Sequence, residues 1–345
     1  EHFKSDIKRE EKKMKSIRKN KSVMGVMAAT LLLAFPANAE KLVLGTIQSP
    51  TAPISLAAEV FADELSRLTD GRYSVNVVNS AQLGPALEQY QNVQSGAQDL
   101  FLDDIGWNAQ FVKDYGVLAV PFAIAGPEGF RAVMDSGLAD GWRQTMRDEH
   151  GIATLSDTFI RSPRVVFTTK AVSSPDDMAN MKFRVPEIDV YFNSWQSIGV
   201  NPTPVPWGEL YLALRQGVVE GGEGPFTTIL PTKFPEAAKF VLETNHLYSA
   251  NTLIMNGAKF DGLSDADRAH FEAATATAEA FFLGQLADLE GSDRDTMKAD
   301  YGVTFLTPTD DERAAFAAKV AEAVPGFEAS GLFGAGVYEK VLAAQ

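Results

Sequence analysis

No cysteine occurs anywhere in the 345 residues. A cysteine nucleophile, a thiolate-ligated zinc, an iron–sulfur cluster and a disulfide framework are all excluded. Basic residues are scarce too, with 31 Lys plus Arg against 45 Asp plus Glu and a formal charge of −14. That balance repels phosphate backbones and anionic lipid, so neither nucleic acid nor a membrane surface is an expected partner. No apolar run reaches the roughly 20 residues of a bilayer-crossing helix, so direct membrane insertion is not expected. The signatures of catalysis are equally missing: there is no G-x-S-x-G elbow, no G-x-x-x-x-G-K loop, no H-E-x-x-H and no EF-hand loop. Gly334-Ala335-Gly336 lacks both the third glycine and the preceding strand of a dinucleotide fingerprint. Beyond residue 39 the histidines are His150, His246 and His270, widely separated and read as structural. Carboxylate pairs such as Glu220 and Glu223 could serve acid–base work, but so acidic a chain produces such pairs by chance. No cofactor and no enzymatic activity is expected.

What is present is ordinary globular composition, 45% apolar and 22% charged, with one atypical end. Residues 1–39 hold nine Lys/Arg against four acids. From Met14 they read as a basic stretch, an apolar run from Val23 to Phe35, and an A-x-A site at Ala37-Asn38-Ala39. An apolar run of 13 residues is too short to span a bilayer, so a secretory signal cleaved before Glu40 is expected, with export to the periplasm. Glu1 to Lys13 is expected to lie upstream of the true start at Met14. Removing the leader's surplus of five positive charges leaves −19 on residues 40–345.

After the leader, short β-rich runs alternate with helical patterns, the mark of an α/β protein. Lys41 to Ile47 reads as a strand, Pro53 to Thr69 as a helix, Tyr73 to Val78 as a strand, Pro85 to Ser95 as a helix, and Asp99 to Asp104 as a strand. The pattern restarts after Thr169 with a strand at Lys182 to Val185, a helix at Glu187 to Ser197, a strand at Thr203 to Val205 and a helix at Trp207 to Gln216. A second α/β lobe is implied. No Gly/Ser linker divides the two, so short hinge strands should join them. From the N-cap candidate Ser264 a helical pattern continues almost to Asp300, interrupted only near Gly291-Ser292. Some 35 residues would extend about 50 Å, longer than one small lobe.

Chemistry concentrates between positions 160 and 232. Arg184 sits inside the short apolar strand Lys182-Phe183-Arg184-Val185, which ends at Pro186. A guanidinium fork at a strand terminus where lobes meet suits bidentate capture of a carboxylate, although a structural ion pair fits the same pattern. Trp207, at a helix start, reads as core or as a binding platform.

The run Met181-Lys182-Phe183-Arg184-Val185-Pro186, then Trp207-x-Glu209-x-Tyr211-x-Ala213-Leu214, Gly217-Val218-Val219-Glu220-Gly221, Glu223-x-Pro225, Lys233-Phe234 and Thr244-Asn245-His246 resembles the solute-binding proteins of tripartite ATP-independent periplasmic (TRAP) transporters. Ala81-Gln82-Leu83-Gly84 and Ala119-Val120-Pro121-Phe122 extend the resemblance over nearly all the chain after the leader. It implies a two-lobed periplasmic binding protein fold with hinge strands and a long helix spanning both lobes. Lobe I would comprise 40–161 and 250–290; lobe II would comprise 162–249 and 291–345 with the C-terminal helices. The cleft would close on a small organic acid and deliver it to a TRAP membrane permease.

Residue by residue, the resemblance makes Arg184 the carboxylate clamp and Arg164 a second arginine that reaches the ligand. Glu187 stands where relatives often have Asn, and Trp207 where an aromatic touches the ligand. Asp104 and Trp107 fall in the lobe-I loop that supplies polar contacts, and Glu223 belongs to the same motif run. Two departures are Glu220, in place of a frequent Asp, and Gly224, where some relatives carry a ligand-binding Asn. Carboxylates at Glu187 and Asp104 accept hydrogen bonds and repel a second carboxylate, which favours a sugar acid such as a uronate. Arg164 could neutralise a second carboxylate, which keeps a C4-dicarboxylate or a 2-oxo acid open. A ligand-sensing protein or a periplasmic lyase could use the same cleft.

Overall fold

The computed structural model describes residues 39–345; the expected leader lies, but for Ala39, outside them. Among the described residues the strands fall into two sheets. The first runs β2-β1-β3-β10-β4, from β1 (Glu40–Gly45), β2 (Tyr73–Val78), β3 (Leu100–Asp104), β4 (Ile152–Ile160) and β10 (Ala250–Asn256). The second runs β11-β9-β5-β8-β6-β7, from β5 (Arg164–Thr168), β6 (Lys182–Val185), β7 (Asn201–Pro204), β8 (Gly221–Pro225), β9 (Phe240–Leu247) and β11 (Thr304–Leu306).

Each sheet has a parallel portion generated by β-α-β units and an antiparallel portion supplied by strands that cross between sheets. β1 is parallel to β2 and β3, with the helix Pro53–Leu68 as a crossover. β6 is parallel to β7 and β8, with the helix Asp189–Ile198 between β6 and β7. Strands β3, β5, β8 and β10 are buried at every position, as expected where helices cover both faces.

The chain passes between sheets at three places. Residues 161–163 lead from β4 to β5, and Tyr248-Ser249 lead from β9 back to β10. The third link is the helix Asp265–Tyr301, whose 37 residues extend about 55 Å. Ser264 caps it by accepting from the Asp267 N–H at 3.1 Å, and Gly302, at φ 65°, ends it. Phe271, Ala274, Ala278 and Phe282 pack with Leu42, Leu44, Phe61 and Leu65 of the first sheet's core. Met297 packs with Val241, Phe226 and Val303 of the second. The interruption expected near Gly291-Ser292 does not occur. The Ser292 hydroxyl bonds back to the Leu289 carbonyl at 3.2 Å, and packing at both ends carries the helix through a glycine that costs only about 1 kcal/mol. The helix expected over Trp207 to Gln216 is instead a 3₁₀ turn at Trp207–Glu209 followed by α-helix at Leu210–Arg215.

The geometry that matters for function is the meeting of strand ends. β1, β3 and β6 all run their carboxyl ends toward the seam between the sheets, where ligands of open α/β sheets are bound. Among the described residues no helix is long and apolar enough to cross a membrane.

Candidate functional site

At that seam lie two adjoining hollows with four walls in common: Ile47 after β1, Trp107 after β3, Arg184 on β6 and Trp207 after β7. The outer one, about 200 Å³, also meets Glu187 and Glu209. The inner one, about 30 Å³, is faced by Gln48, Asp103, Asp104, Arg161 and Arg164. A larger hollow of about 670 Å³ lies behind the hinge, against Tyr248 and Leu283 of the long helix. Apart from Arg161, its charged walls, among them Glu128, Arg131 and Asp135, are solvated, whereas those of the inner hollow are buried.

Arg184 is 3% exposed. Its Nε donates to the Val205 carbonyl at 2.8 Å, and its guanidinium lies over the Trp207 ring, 5.2 Å from the centroid. Among the described residues no carboxylate comes within ion-pair distance of it. Burial and the neighbouring Arg164 charge pull it down to about 10, with Glu223 opposing, so it remains a cation at neutral pH. Two glycines make room for this arrangement. A Cβ on Gly222 would stand 3.4 Å from that of Arg184, and one on Gly224 would press into the Trp207 ring at 2.9 Å. At Gly224 the Trp207 indole fills the space that a side chain would need.

Arg164 is differently placed. Val166 pairs with Glu223 across β5 and β8, so Arg164, two residues along on the same face, is the diagonal neighbour of Glu223. Its guanidinium grips Glu223 with two nitrogens, one at 2.6 Å, and reaches Asp104 at 3.1 Å. Burial alone would lower its pKa, but the Glu223 charge holds it above the usual arginine range. Glu223 is fully buried; burial would raise it, yet Arg164 and His246 hold its carboxyl well below the usual range. The His246 ring, 3.2 Å from Glu223, is pushed below its ordinary pKa by burial. With its proton on Nε2, it donates to Glu223 and accepts the Thr244 hydroxyl at 2.8 Å. Asn245, at φ 45° beside the irregular β5–β9 register, turns His246 into this position.

Asp104 caps the turn that carries Trp107 by accepting from the Gly106 N–H at 2.7 Å, and its other oxygen takes Arg161 at 2.6 Å. Of the seven expected site residues, Arg184, Arg164, Asp104, Trp107, Trp207 and Glu187 reach the cleft wall; Glu223 stands behind it, occupied by Arg164 and His246. Glu187 is exposed at the rim. The second arginine is thus engaged by carboxylates of the chain itself, and it does not offer an unpaired charge to a ligand.

Three polar walls of the inner hollow were not anticipated: Gln48, Asp103 and Arg161. Asp103 had a legible signal, a charge closing the apolar strand Leu100-Phe101-Leu102, and Arg161 stands just before the Ser162-Pro163 link between β4 and β5. Gln48 had none, because its position follows from the chain path after β1.

Residues 44–330 match the family described as bacterial extracellular solute-binding protein, family 7. A solute-binding protein of Verminephrobacter eiseniae is 30% identical over 84% of this chain and 85% of its own length. The crystal structure of a TRAP periplasmic solute-binding protein from Polaromonas, bound to D-erythronate, is 29% identical with a TM-score of 0.80, covering 88% of this chain and 98% of that one. A TRAP periplasmic solute-binding protein from Roseobacter denitrificans with bound L-galactonate is 27% identical, again at a TM-score of 0.80, over 88% of this chain and 98% of that one.

Proposed function

Because the chain belongs to family 7 of the bacterial extracellular solute-binding proteins, of the TRAP type, we propose that its cleft captures a sugar acid and delivers it to a membrane permease. The observation that carries this reading is the buried cation without a counterion: Arg184 is 3% exposed and has no carboxylate partner among the described residues. An uncompensated buried charge costs several kcal/mol, and a ligand carboxylate removes that cost. Trp207, already against the guanidinium, offers an apolar face to the carbon skeleton. The relatives with bound D-erythronate and L-galactonate support an aldonate-type ligand.

Capture requires motion. The lobes, 40–161 with 250–290 and 162–249 with 291–345, hinge at residues 161–163 and 248–249. Ligand on Arg184 then favours the closed state by its contacts with both lobes. The ligand leaves chemically unchanged. The leader is cleaved before Glu40, placing the protein in the periplasm; N-terminal sequencing of the exported product should begin at Glu40, and an intact leader would refute this.

Calorimetry of wild type and Arg184→Ala against L-galactonate and D-erythronate tests the clamp. The variant should retain its circular-dichroism spectrum and lose at least about 30-fold in affinity, the 2 kcal/mol or more expected for a buried charge pair. Near-normal affinity would sink the assignment.

A further inference from the structure

The inner hollow contains a carboxylate that neither the fold nor the clamp uses. Asp103 is 2% exposed and lies on β3, where it pairs with Thr252 of β10. Its Oδ1 accepts the Asp104 N–H at 2.7 Å, whereas its Oδ2 is buried and has no hydrogen-bond partner. Gln48, 7% exposed and facing the same hollow, has an equally unpartnered side-chain carbonyl. A buried acceptor left unpaired is destabilising, so the two together call for donors from whatever enters.

The surrounding charges restrict what those donors belong to. Arg161 is engaged by Asp104, and Arg164 by Asp104 and Glu223. Among the described residues lining the hollow, Arg184 is the one cation with no carboxylate partner, and the unpartnered Arg161 Nε is a donor that a ligand hydroxyl oxygen also satisfies. A ligand with one carboxylate on Arg184 and hydroxyls elsewhere satisfies every group. A second carboxylate would bring a negative charge to two orphan acceptors, one of them a carboxylate, with no cation unspent.

We propose that Asp103 is a specificity-determining residue: its free oxygen, with the Gln48 carbonyl, accepts hydroxyls of a polyhydroxylated monocarboxylate and turns away the corresponding dicarboxylate. This rests on the capture reading above, and it adds a selection that Arg184 cannot make, since both ligand classes present a carboxylate to the clamp. Asn in place of Asp103 preserves its shape and the acceptor that takes the Asp104 N–H.

The test sets L-galactonate and D-erythronate against the diacids of the same carbon skeletons, galactarate and meso-tartrate, by calorimetry on the exported protein. Wild type should prefer each monoacid by 100-fold or more. Asp103→Asn, whose amide donates to a carboxylate, should shrink that preference at least tenfold, and Gln48→Ala should weaken the monoacid severalfold. A merely structural Asp103 would change melting temperature without moving the ratio. An unchanged ratio in Asp103→Asn, with wild-type affinities intact, overturns this proposal alone. So does wild type binding the diacids as tightly as the monoacids, a result that needs no variant. If wild type binds neither monoacid, or if Arg184→Ala binds normally, the capture reading itself fails and this one with it.

Discussion

Buried acids in this molecule meet opposite electrostatic fates. Glu223 lies among Arg164 and His246 and is held ionised well below the usual range, so its contribution to stability is present at neutral pH and lost only as pH falls through strongly acid values. Asp293, on the long helix and 8% exposed, has no such partner among the described residues, and burial alone pushes it up to about 6. A raised folded pKa means that folding favours the protonated acid. The stability it lends is full below about pH 4 and is lost as pH rises through 6. Asp293→Asn should therefore match wild type near pH 4 and exceed it by about 1–2 kcal/mol at pH 7.5 in urea unfolding. A gain that is constant across pH, or absent at 7.5, removes the ionisation from the explanation.

At the scale of elements, legibility followed local pattern. The β-α-β order of the first sheet, the short strand Lys182–Val185 and the Ser264 cap that opens the long helix could all be read, because period-two and period-3.6 patterns and Ser caps are local signals. β9 and β10 could not. Phe240–Leu247 mixes Glu, Thr, Asn and His into its apolar positions, and the whole of Ala250–Asn256 is buried without alternation. Their polar letters serve the site and the hinge and not a solvent face: Thr244 and His246 support Glu223, and Asn251 pairs with Asp104 across the sheet. The proposed clamp arginine was legible for the same reason β9 and β10 were not. Arg184 stands out from an apolar strand by itself, whereas the capture of Arg164 by Glu223 depends on an antiparallel register between strands some sixty residues apart. Composition cannot reveal that pairing, and it removes the second free cation that a dicarboxylate would need.

For the molecule as a whole, charge works against the ligand. Residues 40–345 carry −19, yet the site takes an anion. Local steering does not offset this before binding, since Arg161, Arg164 and Arg184 face Asp103, Asp104 and Glu223 in nearly neutral balance at the cleft. The far field should then dominate encounter, with a sign opposite to the usual electrostatic steering. At about 10 mM salt the Debye length is about 30 Å and the repulsion extends well past the cleft mouth; at 0.5 M it shrinks to a few Å. The association rate for L-galactonate, followed by stopped-flow fluorescence of the cleft tryptophans Trp107 and Trp207, should accordingly rise severalfold between those salt concentrations. The dissociation rate should change little, because the Arg184–carboxylate contact forms in a desolvated place that mobile ions do not enter. A fall in the association rate with salt would mean that Arg184 projects an attractive field beyond the cleft, and that the acids around it compensate the arginines less completely than their geometry implies.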